Sequence, residues 1–401
     1  MKIQDILGFE TRKILEILSI FQKNLARVSI KNLAAELSIH VKTAEKYLER
    51  IQQLIQTYGY SQWLTLIFYP HDTVLLKWRN LWYLERLQLL IIRGTPEIYL
   101  FERVLSEERI STRGLAQQLN ESEPQVRKRI AKIRLWLKPT LLTLKHNTLE
   151  LSGSELQIRE FISKFYMLFR PSLPIEKQKT LEGEVTELLG EIIEVFQMKI
   201  NHVLEQRLRG ILHVQLYRMR LKKEIFLKAD LRNHCLNNQL FHAFSVHLKR
   251  HCVTSMPLLE RMYLFLTIQA QFAYTFGQET KEKVIFEHYN GRSTANRCAY
   301  NGAEMLKRVF KECDFVFDKH TYIVLLGFHL YYDMFTGFQY EDLYALKEIN
   351  AHFPLSCERI ENGLGELTQE YSHFKNIDFN QLLFRYFYLF SDIFSPITIE
   401  N

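Results

Sequence analysis

STRGLAQQLNESEPQVRKRIAKIRLWLKPTLLTLKHNTLELSGSELQIREF, residues 111–161, reads as helix, turn, helix and β-ribbon. Leu115, Ala116 and Leu119 fall on one side of the first helix. Val126, Ile130, Ile133 and Leu137 give the second the i, i+4, i+7 stripe of a half-buried helix. NESEP makes the break between them. Ser122 with Gln125 three residues on fits a capping box, and Pro124 falls in the first turn, where its missing N–H costs nothing. The outward face of the second helix then holds Gln125, Arg127, Lys128, Arg129, Lys132 and Arg134. LLTLK and TLELS flank His146-Asn147 as two short strands. This is the pattern of a winged helix-turn-helix with a basic reading helix.

An upstream segment repeats it at an offset of 82 residues without a gap. Ser29, Leu33, Ala34, Leu37, Ala44, Leu48, Ile51 and Ile55 fall on Ser111, Leu115, Ala116, Leu119, Val126, Ile130, Ile133 and Leu137. Lys31, Lys46 and Arg50 likewise fall on Arg113, Lys128 and Lys132. A first unit is therefore expected, with SIKNLAAEL as supporting helix, SIH as turn and VKTAEKYLERIQQL as reading helix. Lys42, Thr43 and Lys46 lie near its exposed N-terminal end, and QWLTLIFYP and TVLLKW, joined at His71-Asp72, form its wing. Predicted DNA contacts are Lys42, Thr43, Lys46 and Arg50 from the first unit and Gln125, Arg127, Lys128 and Lys132 from the second. Base edges and phosphates remain equal candidates for these side chains.

Charge divides along the same line. Residues 1–170 hold 26 Lys and Arg against 17 Asp and Glu, whereas the remainder holds 26 against 28. A polyanion partner is thus expected for the N-terminal part alone, since cations gain affinity by displacing counterions from phosphates. Beyond Gly153 the pattern is almost wholly helical: Thr180 to Phe196, Val203 to Glu224, a less regular stretch from His234 to His251, and Leu258 to Phe276. GQETKEK reads as a linker into a second helical block, Val284 to Phe394. The aromatic runs LLGFHLYYDMF and LLFRYFYLFSDIF are expected in cores, with part left for a dimer surface.

Five scattered cysteines without a CxxC pair suggest free thiols in a reducing compartment. No long apolar segment is uninterrupted by charge, so a cytoplasmic protein without a membrane partner is expected. GxxxxGK[ST], GxGxxG after a strand and GxSxG are all missing, which leaves an enzyme, catalytic residues and a cofactor without support. His242, His247, His251 and Cys252, with His234-Cys235 nearby, lack the spacing of a closed metal site, and no metal is expected.

Taken together, the chain resembles the Mga-type transcription regulators of bacteria, which carry phosphotransferase-system regulation domains (PRDs). Three features carry the resemblance: the paired N-terminal units, the exit motif Leu151, Gly153, Glu155 and Arg159, and ILHVQLYRMRLKKEI, which looks like the helix of a regulation domain that holds a phosphorylatable histidine. It implies a mainly α fold, with two winged helix-turn-helix domains (1–80, 81–160) followed by two all-helical PRD-like domains (161–280, 281–401). His213 is the implied phosphoacceptor, with Arg209 and Arg220 as phosphate partners at i−4 and i+7. His329 is a second candidate, although Asp333 stands at i+4 and Thr336 where an arginine is expected.

The implied function is a promoter-binding regulator, an activator in dialogue with RNA polymerase, controlled by the histidine phosphocarrier protein and by homodimerisation. Fuller members continue into an enzyme IIB-like domain, for which no sequence remains before Asn401, so dimerisation is expected through the helical blocks, or more weakly than in those members. Two alternatives stay open: an RNA-binding antiterminator, which shares such regulation domains, and a protein-interaction scaffold whose helix-turn-helix units no longer bind nucleic acid.

Overall fold

The computed structural model describes residues 3–394 except 25, 106–110, 147, 170–174, 252–254, 312–317, 338–352 and 375–376. It is mainly α, with two small antiparallel sheets. The first unit comprises α1 (Phe9–Lys23), α2 (Ile30–Glu36) and α3 (Val41–Thr57), with β1 (Val28–Ser29), β2 (Leu64–Tyr69) and β3 (Thr73–Trp78). Strand order is β1-β3-β2, and the register sets Leu66 opposite Leu76 and Phe68 opposite Val74. Leu64, Leu66, Val74 and Leu76 are all buried, so one face of the wing seals the unit while the other meets solvent. His71 and Asp72, both at positive φ, turn the chain between β2 and β3. Arg27 lies over the Tyr69 ring at 3.7 Å.

Next come α4 (Leu81–Arg93), α5 (Pro96–Leu105), α6 (Thr112–Leu119), α7 (Glu123–Leu137), the short strands β4 (Thr143–Leu144) and β5 (Leu151–Ser152), and α8 (Glu155–Phe169). The repeat extends to the backbone. Shifted by 82, α2 and α3 begin where α6 and α7 begin, and α1 ends where α5 ends. Both turns place the equivalent residue, Ser38 or Asn120, in the left-handed region. Both close with the same hydrogen bond, Ile39 N to Ala34 O or Glu121 N to Ala116 O, each 3.0 Å. Ser122 N donates to the Gln125 side chain at 2.9 Å, so the capping box at the start of α7 is formed.

The two copies differ underneath. In the first, Leu15 and Tyr47 are buried in the core and Ile39 packs partly buried against it; in the second, the corresponding positions are Glu97, Glu121 and Arg129, joined by salt bridges. The second wing is also far shorter than LLTLK and TLELS suggest. Its strands pair only Thr143 with Ser152 and Leu144 with Leu151, and Asn147 of the expected turn lies outside the described residues.

The helical part runs α9 (Ile175–Phe196), α10 (His202–Arg220), α11 (Ala229–Leu236), α12 (Gln239–His251), α13 (Leu258–Phe272), α14 (Gln278–Asn290), α15 (Thr294–Val309), α16 (Lys319–Met334), α17 (Pro354–Glu370) and α18 (Phe379–Phe394). α10 packs between α8 and α9, α13 against α16, and α15 against α16 and α17. Asn201 caps α10 by accepting from Leu204 N at 3.0 Å. The irregular stretch His234–His251 resolves into the end of α11 and all of α12. GQETKEK is not a linker: Gly277 caps α14, and the segment supplies its first turns. Lys283 pairs with Glu279 one turn back at 2.6 Å, so what reads as a linker charge run is an exposed i, i+4 helix pair. Cys235, Cys298 and Cys357 are buried free thiols, while Cys252 and Cys313 lie outside the described residues.

Candidate nucleic-acid interface and sensor helix

Lys42, Lys46 and Arg50 are exposed along α3, with Thr43 half-buried at its first turn. Arg127 and Lys128 are exposed on α7; Arg127 has only a 3.3 Å contact to Glu123, with 71% of its side chain in solvent. These are the cations of the two reading helices that stand clear of the protein. The other three cations expected on the same outward face do not, and the uncharged Gln125 is tied up locally.

Gln125 is exposed, but its side-chain oxygen is committed to the capping box. Arg129 bridges Glu97 and Glu121, with 27% of its side chain exposed. Lys132 donates to Leu7 O at 2.9 Å, holding α7 against the loop ahead of α1, and burial there pushes its ammonium pKa down. Arg134 donates to Leu144 O (2.9 Å) and Lys145 O (3.2 Å), fastening the second wing to α7. A helical wheel places Arg129, Lys132 and Arg134 outward; groups outside α7, absent from a wheel, claim them. The wing cations Lys77 and Lys145 are exposed as well, and their alternation with buried neighbours was the available signal.

Gly153, Glu155 and Arg159 of the exit motif acquire distinct roles. Gly153 has φ +153°, and a Cβ there would lie 2.6 Å from Leu142 Cδ2 and 2.9 Å from Leu141 O. Glu155 accepts both ends of the Arg218 guanidinium, at 2.8 and 2.7 Å. Arg159, 1% exposed, bonds both oxygens of Glu260 at 2.6 and 2.9 Å and donates to Lys223 O at 3.1 Å. Gln215 completes the network by donating to Glu260 O at 2.9 Å. Two arginines and two glutamates are thus mutually neutralised where α8, α10 and α13 meet. Glu155 and Arg159 stand out in the sequence; Arg218 and Glu260, on distant helices, carry no signal of their own.

His213 faces α9. It is 4% exposed, and its Nε2 lies 2.9 Å from Glu182. Arg209 reaches the same Glu182 at 2.9 Å, together with Thr186 and Glu205. Arg220 pairs instead with Glu184, two residues along α9 from the imidazole's partner. Burial lowers the His213 pKa, a pull that Glu182 opposes. The imidazole and Arg209 therefore share one carboxylate, whereas Arg220 holds another.

His329 is 2% exposed within an aromatic enclosure. Its Nε2 lies 3.0 Å from the Tyr386 hydroxyl, its ring meets Phe374 edge-on, and burial holds its pKa down to about 3. The expected neighbour Asp333 turns away to Lys228 at 2.9 Å.

Among the described residues no helix is long and apolar enough to cross a membrane. A comparison with curated proteins finds no match. A family model does match: residues 84–166, from α4 into α8, correspond to the Mga helix-turn-helix domain. The segment that holds the second reading helix, its wing and the exit motif is therefore similar to the Mga helix-turn-helix domain, a DNA-binding module.

Proposed function

We propose that the protein is a transcriptional regulator that binds double-stranded promoter DNA through both reading helices, and that it activates transcription in contact with RNA polymerase. The observation that carries this reading is the duplication: two helix-turn-helix units of the same backbone design, each with exposed cations on the reading helix, one of them matching a DNA-binding family. Two linked contacts raise affinity through effective concentration, so neither helix has to bind tightly alone.

The helical part is the regulatory half, a PRD-like sensor in which the histidine phosphocarrier protein phosphorylates His213. Phosphoryl transfer to Nε2 displaces Glu182, and Arg209 exchanges one anion for another. α9 then loses a clasp on α10, and the Glu155–Arg218 and Arg159–Glu260 pairs pass the change to α8 and the wing. Homodimerisation through the helical part doubles the number of DNA contacts.

Selection of duplexes from a random pool, followed by footprinting, tests this reading. An enriched duplex protected at two neighbouring major-groove segments is expected. Enrichment of hairpin RNA instead, or of no nucleic acid, would overturn it.

A further inference from the structure

α9 presents a second constellation at its other end. Glu191 and Glu194, three residues apart, lie on the side of α9 that meets His247 of α12. One ligand atom from each of the three lies within 4.8 Å of the other two. His247 Nε2 is in hydrogen-bond contact with Glu191 Oε2; both side chains are about one-fifth exposed, and Glu194 is exposed. A pair of helices thus supplies an imidazole and two carboxylates that converge on one point from two directions.

We infer that Glu191, Glu194 and His247 form a divalent transition-metal site, best suited to zinc, that clamps α9 to α12. The donor set decides the class of ion. One imidazole and two carboxylates suit a borderline cation, whereas calcium and magnesium favour all-oxygen shells with more ligands. Tetrahedral zinc with bonds near 2.1 Å holds its ligand atoms about 3.4 Å apart. The Glu191–His247 pair, already in contact, opens to that spacing, and the exposed Glu194 closes on the ion by changing rotamer.

Three protein ligands leave a fourth position for water, and the half-exposed setting gives the ion a path in. Nε2 carries the bond to zinc, so metal and proton compete for it and binding weakens as the solution is acidified. Bound metal replaces the Glu191–His247 contact with a bridge that also engages Glu194. It fixes the C-terminal half of the helix whose N-terminal half carries Glu182 and Glu184. This clamp stands independently of whether His213 is phosphorylated.

Isothermal titration of the untagged full chain with zinc chloride tests the site, alongside Glu194→Gln and His247→Ala. Wild type is expected to take one zinc per chain. Glu194→Gln keeps the Glu191–His247 pair and lies at an exposed position, so it stays folded, yet its affinity falls about tenfold or more because a ligand is gone. His247→Ala loses binding. Hydrogen exchange supplies a second readout, with zinc slowing exchange in α9 and α12 of wild type but not of Glu194→Gln. Absence of zinc binding, or equal affinity in wild type and Glu194→Gln, overturns the inference.

Discussion

Arg129 offers a stability test that separates the two repeats. Glu97, its buried partner, is 3% exposed; Glu121 is 17% and Arg129 27% exposed at the side chain. Arg129→Ala leaves the Glu97 carboxylate buried without its cation, a loss that costs about 3–5 kcal/mol for fully buried pairs. Water reaches a quarter of the guanidinium, so about 2–4 kcal/mol is expected here. The first unit shows how the same space is filled without charge, by Leu15, Tyr47 and Ile39. Installing that set as Glu97→Leu, Arg129→Tyr and Glu121→Ile should therefore recover the loss and match or exceed wild type, by up to about 4 kcal/mol. Because a global transition in a chain of this length need not report on one helix, protection of the slowest-exchanging α7 amides is the appropriate assay. A triple variant less protected than Arg129→Ala would refute the structural equivalence of the two units. Wild-type protection in Arg129→Ala would refute the ion pair's contribution.

Gly153→Ala should destabilise the second wing by about 1–3 kcal/mol, because its Cβ meets Leu142 and Leu141 O; wild-type melting would contradict the close approach. Burial keeps His234 and His329 neutral in the folded chain, with pKa values down to about 4 and about 3, and lowers His288 well below its usual range. Unfolding lets each take up a proton below pH 6.5, so stability is full above that pH. It is lost as pH falls toward 4, at about 1.4 kcal/mol per pH unit for each histidine; equal stability at pH 7 and pH 5 would exclude this. A purified histidine phosphocarrier protein, recharged from phosphoenolpyruvate, should label wild type and His329→Ala but not His213→Ala; equal labelling of His213→Ala would dismiss that site. Glu182→Gln weakens the clasp over Nε2 and should label faster than wild type, whereas slower labelling would mean that the carboxylate assists transfer.

The repeat was legible because helix stripes and turn residues are local: Leu33, Ala34 and Leu37 announce their copies at Leu115, Ala116 and Leu119 without any knowledge of the fold. Helix ends marked by Ser122 and Gln125 were equally plain. Tertiary contacts were not. Lys132 and Arg129 look like solvent-facing cations on a helical wheel, since the groups that engage them, Leu7 O and Glu97, are 125 and 32 residues away. The GQETKEK segment misleads for a related reason, because an exposed helix turn and a linker share the same charged composition. His213 could be placed on α10, but the carboxylate over it belongs to α9, and no spacing rule links the two. His247 likewise meets Glu191 only through the packing of α12 on α9.

Binding of duplex DNA by both reading helices is tested by the salt dependence of affinity for a selected duplex. Fluorescence anisotropy should be measured for wild type, Lys42→Ala/Lys46→Ala and Arg127→Ala/Lys128→Ala across a series of salt concentrations. Each phosphate contact removed lowers the slope of log affinity against log salt by about 0.9, so each double variant should lose up to about 1.8 and bind more weakly at every salt. Wild-type affinity and slope in both variants would contradict the account.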